Sequence, residues 1–247
     1  MMELQNISAG YDGKLALNNI DLKVKQGELL VIAGPNGSGK TTLLKCAAGL
    51  HNPQQGTVVI NGKEIFRLKP REKAALAAIL FQTREMPWPF TVRETVMQGC
   101  FARSGWLGQT TKADKDAVDA ALEKAGLASF AERPITEISG GELQRVYIAR
   151  CIAQGAAFLL LDEPGNNLDP KYSYKIMSLL SDFANEGRGV IVTLHDLRLA
   201  SLFAARLALL SHNGQICALG TPSEVLTEEN LSRVYDLPPE LVRDLVL

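Results

Sequence analysis

The sequence has no apolar stretch that approaches the roughly 18 residues a membrane-spanning helix requires. Its start also lacks the basic flank and apolar core of a secretion signal, so we expect the protein to remain in the cytoplasm. The formal net charge is only -1, from 26 basic and 27 acidic residues. Such a balance gives no general attraction to nucleic acid or anionic lipid, which leaves only a local basic patch as a route to such binding.

Paired cysteines are missing as well. The four cysteines, at positions 46, 100, 151 and 217, form no CxxC pair, which indicates reduced thiols packed as small apolar side chains. This spacing argues against a zinc site or a disulfide framework.

Internal repeats and low-complexity linkers are absent too. The length of 247 residues and the 46% hydrophobic fraction predict one large α/β domain with a smaller attached lobe.

What the sequence does contain is a glycine-rich loop, GPNGSGKTT, directly after the apolar run 29–33. Glycines at 34, 37 and 39 allow the backbone N–H groups to turn inward around a phosphate, and a following helix adds its positive dipole. A merely flexible glycine turn is the alternative, but a predicted strand before the loop and a helical run at 42–50 after it disfavour that interpretation. We therefore predict a nucleoside triphosphate site formed by Gly34, Pro35, Asn36, Gly37, Ser38, Gly39, Lys40, Thr41 and Thr42.

Two side chains of this loop have separate predicted roles. Lys40 can reach the β and γ phosphates as a mobile charge, and the Thr41 hydroxyl lies where Mg²⁺ needs an oxygen ligand. We expect ATP and Mg²⁺ to bind together.

A second apolar run, at 158–161, ends in the adjacent carboxylates Asp162 and Glu163. Strand alternation directs these two side chains to opposite sides. Asp162 would then hold Mg²⁺ through water, and Glu163 would act as the general base on the attacking water. A solvated strand end with ordinary acidic residues is the alternative.

Short apolar or alternating runs bounded by glycine predict the strands, and helical spacing predicts a helical lobe between about residues 87 and 137. The dipeptide Asn61-Gly62 predicts a tight hairpin turn. The predicted strands are 3–7, 17–24, 29–33, 57–60, 158–161 and 189–194.

The segment 138–145, ISGGELQR, opens a predicted helix shortly before Asp162 and resembles the signature motif of ABC-type ATPases. This resemblance covers essentially the whole chain. It implies an α/β P-loop NTPase core with a mostly parallel sheet, an N-terminal antiparallel β subdomain and an inserted α-helical subdomain. The core would comprise residues 1–86 and 155–247, and the helical subdomain residues 87–154.

The resemblance also implies a shared site. In the family, the signature serine and glycines bind the γ-phosphate held by an opposite subunit, so two chains would enclose two ATP molecules as a homodimer. In this chain the signature residues are Ser139, Gly140, Gly141 and Glu142.

Single residues match other family positions. Tyr11 would stack on adenine, Gln82 would touch Mg²⁺ or the attacking water, and His195 would contact the γ-phosphate and orient that water. Asp169 would communicate across the dimer. Alone, a histidine or tyrosine is more often a packing or surface residue, and only their order along the chain favours these roles. His51 and His212 match no motif.

Two positions depart from the usual family pattern. Position 142 is glutamate where glutamine is commonest, and we expect catalysis to survive this change. Gly165 replaces the usual threonine or serine after Asp162-Glu163-Pro164, which removes a hydroxyl from the loop that crosses the dimer.

Segments 91–96 and 220–227 and the triplet His195-Asp196-Leu197 resemble ATPases that drive import of iron-siderophores, haem or vitamin B12. Such a chain would lie on the inner membrane face beneath an integral-membrane permease. An external substrate-binding protein would deliver the substrate to that permease, and nucleic acid would have no role. Residues 86–90, including Trp88, are candidates for the permease contact.

The main alternative is an ABC ATPase without a permease, such as an Fe–S assembly ATPase. Chromosome and repair ATPases are disfavoured because only about a hundred residues separate Lys40 from Ser139 and no heptads appear between them. A regulator without turnover would be expected to lack Glu163 or His195, and both are present.

Overall fold

A computed structural model describes residues 1–81, 89–101, 109–166 and 168–242. Gln82, Met86, Trp88 and Asn167 lie outside the described residues, so the roles predicted for Gln82 and for most of residues 86–90 stay predictions. Within the described ranges, the helices are too short or too polar to span a bilayer.

In the described residues, ten strands form two sheets. They are β1 (Met2–Tyr11), β2 (Lys14–Val24), β3 (Leu29–Ala33), β4 (Gln55–Ile60), β5 (Lys63–Glu64), β6 (Ala77–Leu80), β7 (Phe158–Asp162), β8 (Gly189–Thr193), β9 (Arg206–Leu210) and β10 (Ile216–Gly220).

The α-helices in the described residues are α1 (Lys40–Ala47), α2 (Pro70–Leu76), α3 (Val92–Met97), α4 (Lys112–Lys124), α5 (Gly140–Gln154), α6 (Pro170–Asn185), α7 (Leu197–Phe203), α8 (Pro222–Val225), α9 (Glu228–Tyr235) and α10 (Pro239–Val242). Short 3₁₀ helices occupy Ile65–Arg67, Gln98–Cys100, Ala128–Phe130 and Ile135–Glu137.

The larger sheet has the strand order β10-β9-β3-β8-β7-β6. All neighbouring pairs in it are parallel except β9 with β10. Every residue of β3, β7 and β8 is buried, as expected for parallel strands covered on both faces. Because these strands are parallel, the carboxyl ends of β3, β7 and β8 meet at one edge of the sheet, and the predicted site residues follow these ends.

The smaller sheet is antiparallel, with the order β2-β1-β4-β5. Its hairpins turn at residues with positive φ, which include Asp12 and Gly13 between β1 and β2 and Asn61 and Gly62 between β4 and β5. Buried residues of this sheet pack with α1 and with one face of the larger sheet in a shared hydrophobic core. The sheet thereby holds the first strand of the chain close to α1.

Helices α3, α4 and α5 pack against one another. Their buried residues, among them Val96, Val118 and Val146, belong to the same hydrophobic cluster as Val31 of β3 and Val190 of β8. The apolar core therefore runs without a break from the helical region into the larger sheet.

The predicted α/β architecture is confirmed, with differences in the extent of its elements. Strand β1 continues to Tyr11 and β2 begins at Lys14, so the first hairpin is longer than predicted. The helix after the glycine loop spans Lys40–Ala47 rather than 42–50. Strands β5, β6, β9 and β10 were not predicted. Strand β6 was missed because its run of apolar residues, Ala77–Leu80, continues from the apolar end of α2 without a glycine or proline between them.

Cys46, Cys100 and Cys151 are buried, as expected for thiols that pack as small apolar side chains. Burial raises the pKa of the Cys46 thiol to about 12, so this side chain is protonated at neutral pH. Cys217 is only partly buried.

We expect iodoacetamide at pH 8 to alkylate Cys217 in the native protein and to leave Cys46 unmodified, because only an accessible thiolate reacts. Peptide mass spectrometry after timed quenching measures both sites, and unfolding in denaturant before labelling should make all four cysteines reactive. Native labelling of Cys46 as fast as Cys217 would contradict the buried position of Cys46.

Candidate active site

The loop between β3 and α1 has the backbone shape that its glycines predict. Gly34, Gly37 and Gly39 have φ values of 148°, 78° and 93°. A Cβ atom at position 34 would lie 2.5 Å from the carbonyl oxygen of Leu210, and one at position 39 would collide with the carbonyl oxygen of Ala16. Glycine is therefore required by close backbone contacts as well as by φ.

Lys40 begins α1 and is buried. Its Nζ donates hydrogen bonds to the carbonyl oxygens of Gly34, at 2.9 Å, and Pro35, at 3.0 Å. Burial lowers the pKa of Lys40, while the nearby carboxylates of Glu163 and Asp162 oppose that shift. The structure thus places a cation inside the loop, with the two predicted acidic residues close enough to affect its charge.

Asp162 ends β7 and is buried, with 5% of its surface exposed. Its Oδ2 accepts a hydrogen bond from the Thr41 hydroxyl at 2.6 Å, and its Oδ1 accepts one from the Thr193 hydroxyl at 2.7 Å. The Thr193 oxygen in turn accepts the backbone N–H of Glu163 at 2.9 Å. Thr193 was not singled out in the sequence, because it ends an ordinary β-branched strand run; only the pairing of Asp162 with Thr193 across β7 and β8 reveals it.

Glu163 leaves the strand in a left-handed conformation, with a φ of 50°. We expected strand alternation to direct the Glu163 side chain away from that of Asp162. This reason was wrong, because β7 ends at Asp162 and alternation does not extend to Glu163. Glu163 Oε1 contacts His195 Nε2, and Asn166 Nδ2 donates to Glu163 Oε2 at 2.9 Å. The exposed histidine side chain and the mostly buried glutamate therefore form a pair beside the Asp162 network.

A cavity of about 230 Å³ opens next to this pair. Gly165 lines it and packs against α6, where the Ser173 hydroxyl donates to the Gly165 carbonyl at 3.1 Å. A Cβ at position 165 would lie 3.0 Å from that hydroxyl oxygen. Ser173 therefore supplies a hydroxyl next to the position where the family usually has one, and glycine leaves space for it. The cavity is lined by Glu163, Gly165, Asn166, Leu168, Pro170, Ser173, Leu194, His195, Asp196 and Leu199.

Ser139 is the N-cap of α5 and forms a capping box with Glu142. Both Ser139 and Gly140 are exposed, and a Cβ built on Gly140 would meet no atom within 4 Å. Gly141 instead faces the ring of Tyr172. Within the described part of the chain, no hydrogen bond or ion pair joins this helix start to the glycine loop.

Tyr11 ends β1 with 45% of its surface exposed. Its ring centroid lies 4.6 Å from that of His51, and Lys45 Nζ lies 5.7 Å from the Tyr11 ring. His51 Nε2 is also 3.1 Å from the carbonyl oxygen of Gly10. The histidine that matched no motif thus packs against the predicted adenine platform, a contact that its position after α1 does not reveal in the sequence.

Asp169 is the N-cap of α6, and its carboxylate accepts the backbone N–H of Lys171 at 2.9 Å.

Tyr235, in α9, contacts the glycine loop. Burial raises the pKa of Tyr235, and a hydrogen bond with the backbone of Gly34 opposes that rise. The C-terminal helices therefore reach the start of the glycine loop, although the sequence around Tyr235 carries no signal for it.

The oxygen atoms of Thr41 and Asp162 suit a cation that also binds phosphate oxygens. The described residues hold no cluster of three or more histidine, cysteine, aspartate or glutamate side chains around a possible metal position. Thr41 and Asp162 instead place one hydroxyl and one carboxylate together, which are oxygen ligands of the kind Mg²⁺ prefers when phosphates complete its shell.

Comparison with known families agrees with this geometry. The ABC transporter family profile matches residues 17–166, which include the glycine loop, the signature helix and the Asp162-Glu163 pair. The chain belongs to the ABC transporter family. It is an ATP-binding cassette and an ATPase, as its motifs predicted.

One relative of this ABC transporter cassette is the hemin import ATP-binding protein HmuV of Rhizobium meliloti (strain 1021), which is 40% identical over 243 residues, 95% of this chain and 91% of the relative. Two solved structures are also similar. An inward-facing transporter assigned to the metal-chelate type has a TM-score of 0.84 at 27% identity, covering 96% of this chain and 89% of that chain. An ATP-binding cassette solved as a dimer in a post-hydrolysis state with ADP and Pi has a TM-score of 0.77 at 30% identity, covering 90% and 99%.

We expect Thr193→Val to lower the ATPase rate and to destabilise the cassette by about 1–3 kcal/mol, because the buried Asp162 oxygen loses a donor and the Glu163 amide loses its acceptor. Thr193→Ser, which keeps the hydroxyl, is the matched control and should stay near wild type in both respects. Denaturant unfolding and steady-state ATP hydrolysis measure the two effects. Wild-type hydrolysis by the valine variant would show that the Asp162 and Glu163 positions do not depend on Thr193.

Proposed function

We propose that this ABC ATPase powers the import of a metal chelate, such as haem or an iron-siderophore, through a separate permease. The observation that carries the proposal is its 40% identity, over nearly its whole length, to a hemin import ATP-binding protein. Similarity to a transporter of the metal-chelate type supports the same class of cargo.

ATP would bind with its phosphates at the start of α1. The backbone N–H groups of residues 36–42 and the Lys40 ammonium provide the positive charge for the β and γ phosphates. The exposed face of the Tyr11 ring would receive adenine. Thr41 and Asp162 would hold Mg²⁺, with Gln82 as a further ligand, and the ion would neutralise charge on the phosphates.

Hydrolysis would use Glu163 as general base. Water attacks the γ-phosphorus, the bond to the β-γ bridging oxygen breaks to give ADP and phosphate, and Glu163 accepts the proton that the water loses. His195, which contacts Glu163 in the structure, would orient that water and contact the γ-phosphate. The Asn166 hydrogen bond fixes the other carboxylate oxygen, so one Glu163 oxygen is left to face the water and His195.

The complete site would need a second copy of the chain. Exposed Ser139 and Gly140 would bind the γ-phosphate held by the partner, so two subunits would enclose two ATP molecules, and Asp169 would contact the opposite subunit. Similarity to a cassette solved as a dimer with ADP and Pi supports this arrangement. Closure with ATP and reopening after hydrolysis would be the motion passed to the permease.

The permease would contact the helical subdomain, for which we propose residues 87–154, with the core formed by residues 1–86 and 155–247. Phe90 and Phe101 are exposed at the described edges of that region, with 44% and 38% of their surfaces accessible. The protein would therefore lie on the cytoplasmic face of the membrane. Its link to the external substrate-binding protein would be indirect, through the permease, and it would have no nucleic-acid partner.

We expect Glu163→Gln to retain ATP binding while hydrolysis falls by about 10² to 10⁴, because the amide keeps the shape of the side chain but cannot accept the proton. This loss corresponds to roughly 3 to 5 kcal/mol of transition-state stabilisation. Lys40→Ala should instead weaken ATP binding itself. Nucleotide binding and phosphate release, measured separately for each variant, distinguish the roles, and hydrolysis at the wild-type rate in Glu163→Gln would rule out Glu163 as the base.

The proteins that co-purify with the chain test its assignment as an importer subunit. We expect the tagged chain, purified from gently solubilised membranes of its own host, to carry a multi-span membrane protein in a fixed ratio, as identified by mass spectrometry. Recovery of soluble partners alone, such as Fe–S assembly proteins, would contradict the importer and leave the ATPase chemistry unaffected. A Lys40→Ala version, prepared in parallel, shows whether association needs ATP.

A further inference from the structure

The signature serine is not free in this structure. Its hydroxyl donates a hydrogen bond to Glu142 Oε2 at 2.8 Å, and its backbone N–H donates to the same oxygen, also at 2.8 Å. The Ser139 oxygen accepts the Glu142 backbone N–H at 3.3 Å. An ionised carboxylate can only accept, so the single proton of the Ser139 hydroxyl is committed to Glu142.

A phosphate oxygen that approaches Ser139 needs the same proton. The serine would have to release Glu142 before it could donate to phosphate, and a hydrogen bond to an ionised acceptor is roughly twice as strong as one between neutral groups. The glutamate also brings its negative charge to the helix start that the phosphate would approach. Both effects oppose the arrival of ATP at this motif.

The surroundings keep Glu142 in its charged form. The hydrogen bonds from the backbone and side chain of Ser139 lower the pKa of Glu142, and the charges of Arg145 and Arg133 add to that effect. Arg145 itself donates to the carbonyl oxygens of Ala125 and Gly126, so its guanidinium is held at the end of α4 rather than at the carboxylate.

We propose that Glu142 restrains the signature motif, so that its carboxylate holds the Ser139 hydroxyl and raises the ATP concentration needed to close the dimer. This inference rests on the proposed shared site, in which Ser139 donates to the γ-phosphate held by the partner. Glutamate at position 142 then acts as a positioning residue that makes closure less favourable than a neutral amide would.

The chain offers a matched control in a second capping box. At the start of α8, the backbone N–H and the hydroxyl of Thr221 donate to Glu224 Oε2 at 2.8 and 2.9 Å. Hydrogen bonding to Thr221 lowers the pKa of Glu224 as well. This box has the same local chemistry as the Ser139 box but lies outside the signature motif.

The experiment measures ATP-dependent dimerisation of the full chain by analytical ultracentrifugation over a range of ATP concentrations. Glu163→Gln is the common background, because it removes the hydrolysis that would reopen the dimer. We expect added Glu142→Gln to lower the ATP concentration for half-maximal dimer by about tenfold, since a neutral acceptor releases the serine more easily. Added Glu224→Gln should cause no shift.

A second variant separates this effect from helix capping. Glu142→Ala removes both the charge and the acceptor, so it should also favour the dimer, although it weakens the start of α5 and lowers the melting temperature. An unchanged or higher ATP requirement in Glu142→Gln would overturn the proposal. Dimers that never form with ATP in any variant would instead overturn the shared site, and the restraint with it, while nucleotide binding to the single chain would remain.

Discussion

The buried carboxylate of Asp162 is the interaction on which the rest of the site depends. It lies where three elements meet: the end of β7, the first turn of α1 and the end of β8. Hydroxyl groups of Thr41 and Thr193 donate to its two oxygens. A charge so deeply buried is costly unless it is hydrogen-bonded, so these elements are held in one relative position. The network thereby fixes the phosphate loop relative to the residues that would activate water.

The position of Glu163 follows from the same network. Its backbone N–H is bound to Thr193, and its left-handed backbone turns the side chain out of the strand direction towards His195 and Asn166. A left-handed glutamate is uncommon and costs of order 1 kcal/mol or more, which the surrounding contacts must offset. One group of contacts therefore sets the positions of both Asp162 and Glu163, with Thr193 between them.

The sequence predicted the parts of this site whose chemistry is local. A glycine loop and adjacent carboxylates after an apolar run carry their own signals, because the backbone and the ligand impose residue types at fixed spacing. Contacts between distant segments were not predictable in the same way. The contact of Thr193 with Asp162 depends on the register of β7 against β8. The contact of His51 with Tyr11 depends on the approach of the end of α1 to β1. Strand β9 was missed because its five residues do not distinguish a buried strand from a short helix.

The departure at position 165 shows why a family pattern must be tested against packing. The hydroxyl usual at this position is absent, yet the Ser173 hydroxyl of α6 donates to the Gly165 carbonyl and occupies the space beside it. Loop and helix are thus still joined, one residue before Asn166, which binds Glu163. Because Asp169 caps the same helix, a force applied to α6 or to its N-cap would reach the Glu163 carboxylate through two hydrogen bonds. The loop therefore joins α6, which Asp169 caps, to Glu163 without the usual side chain at position 165.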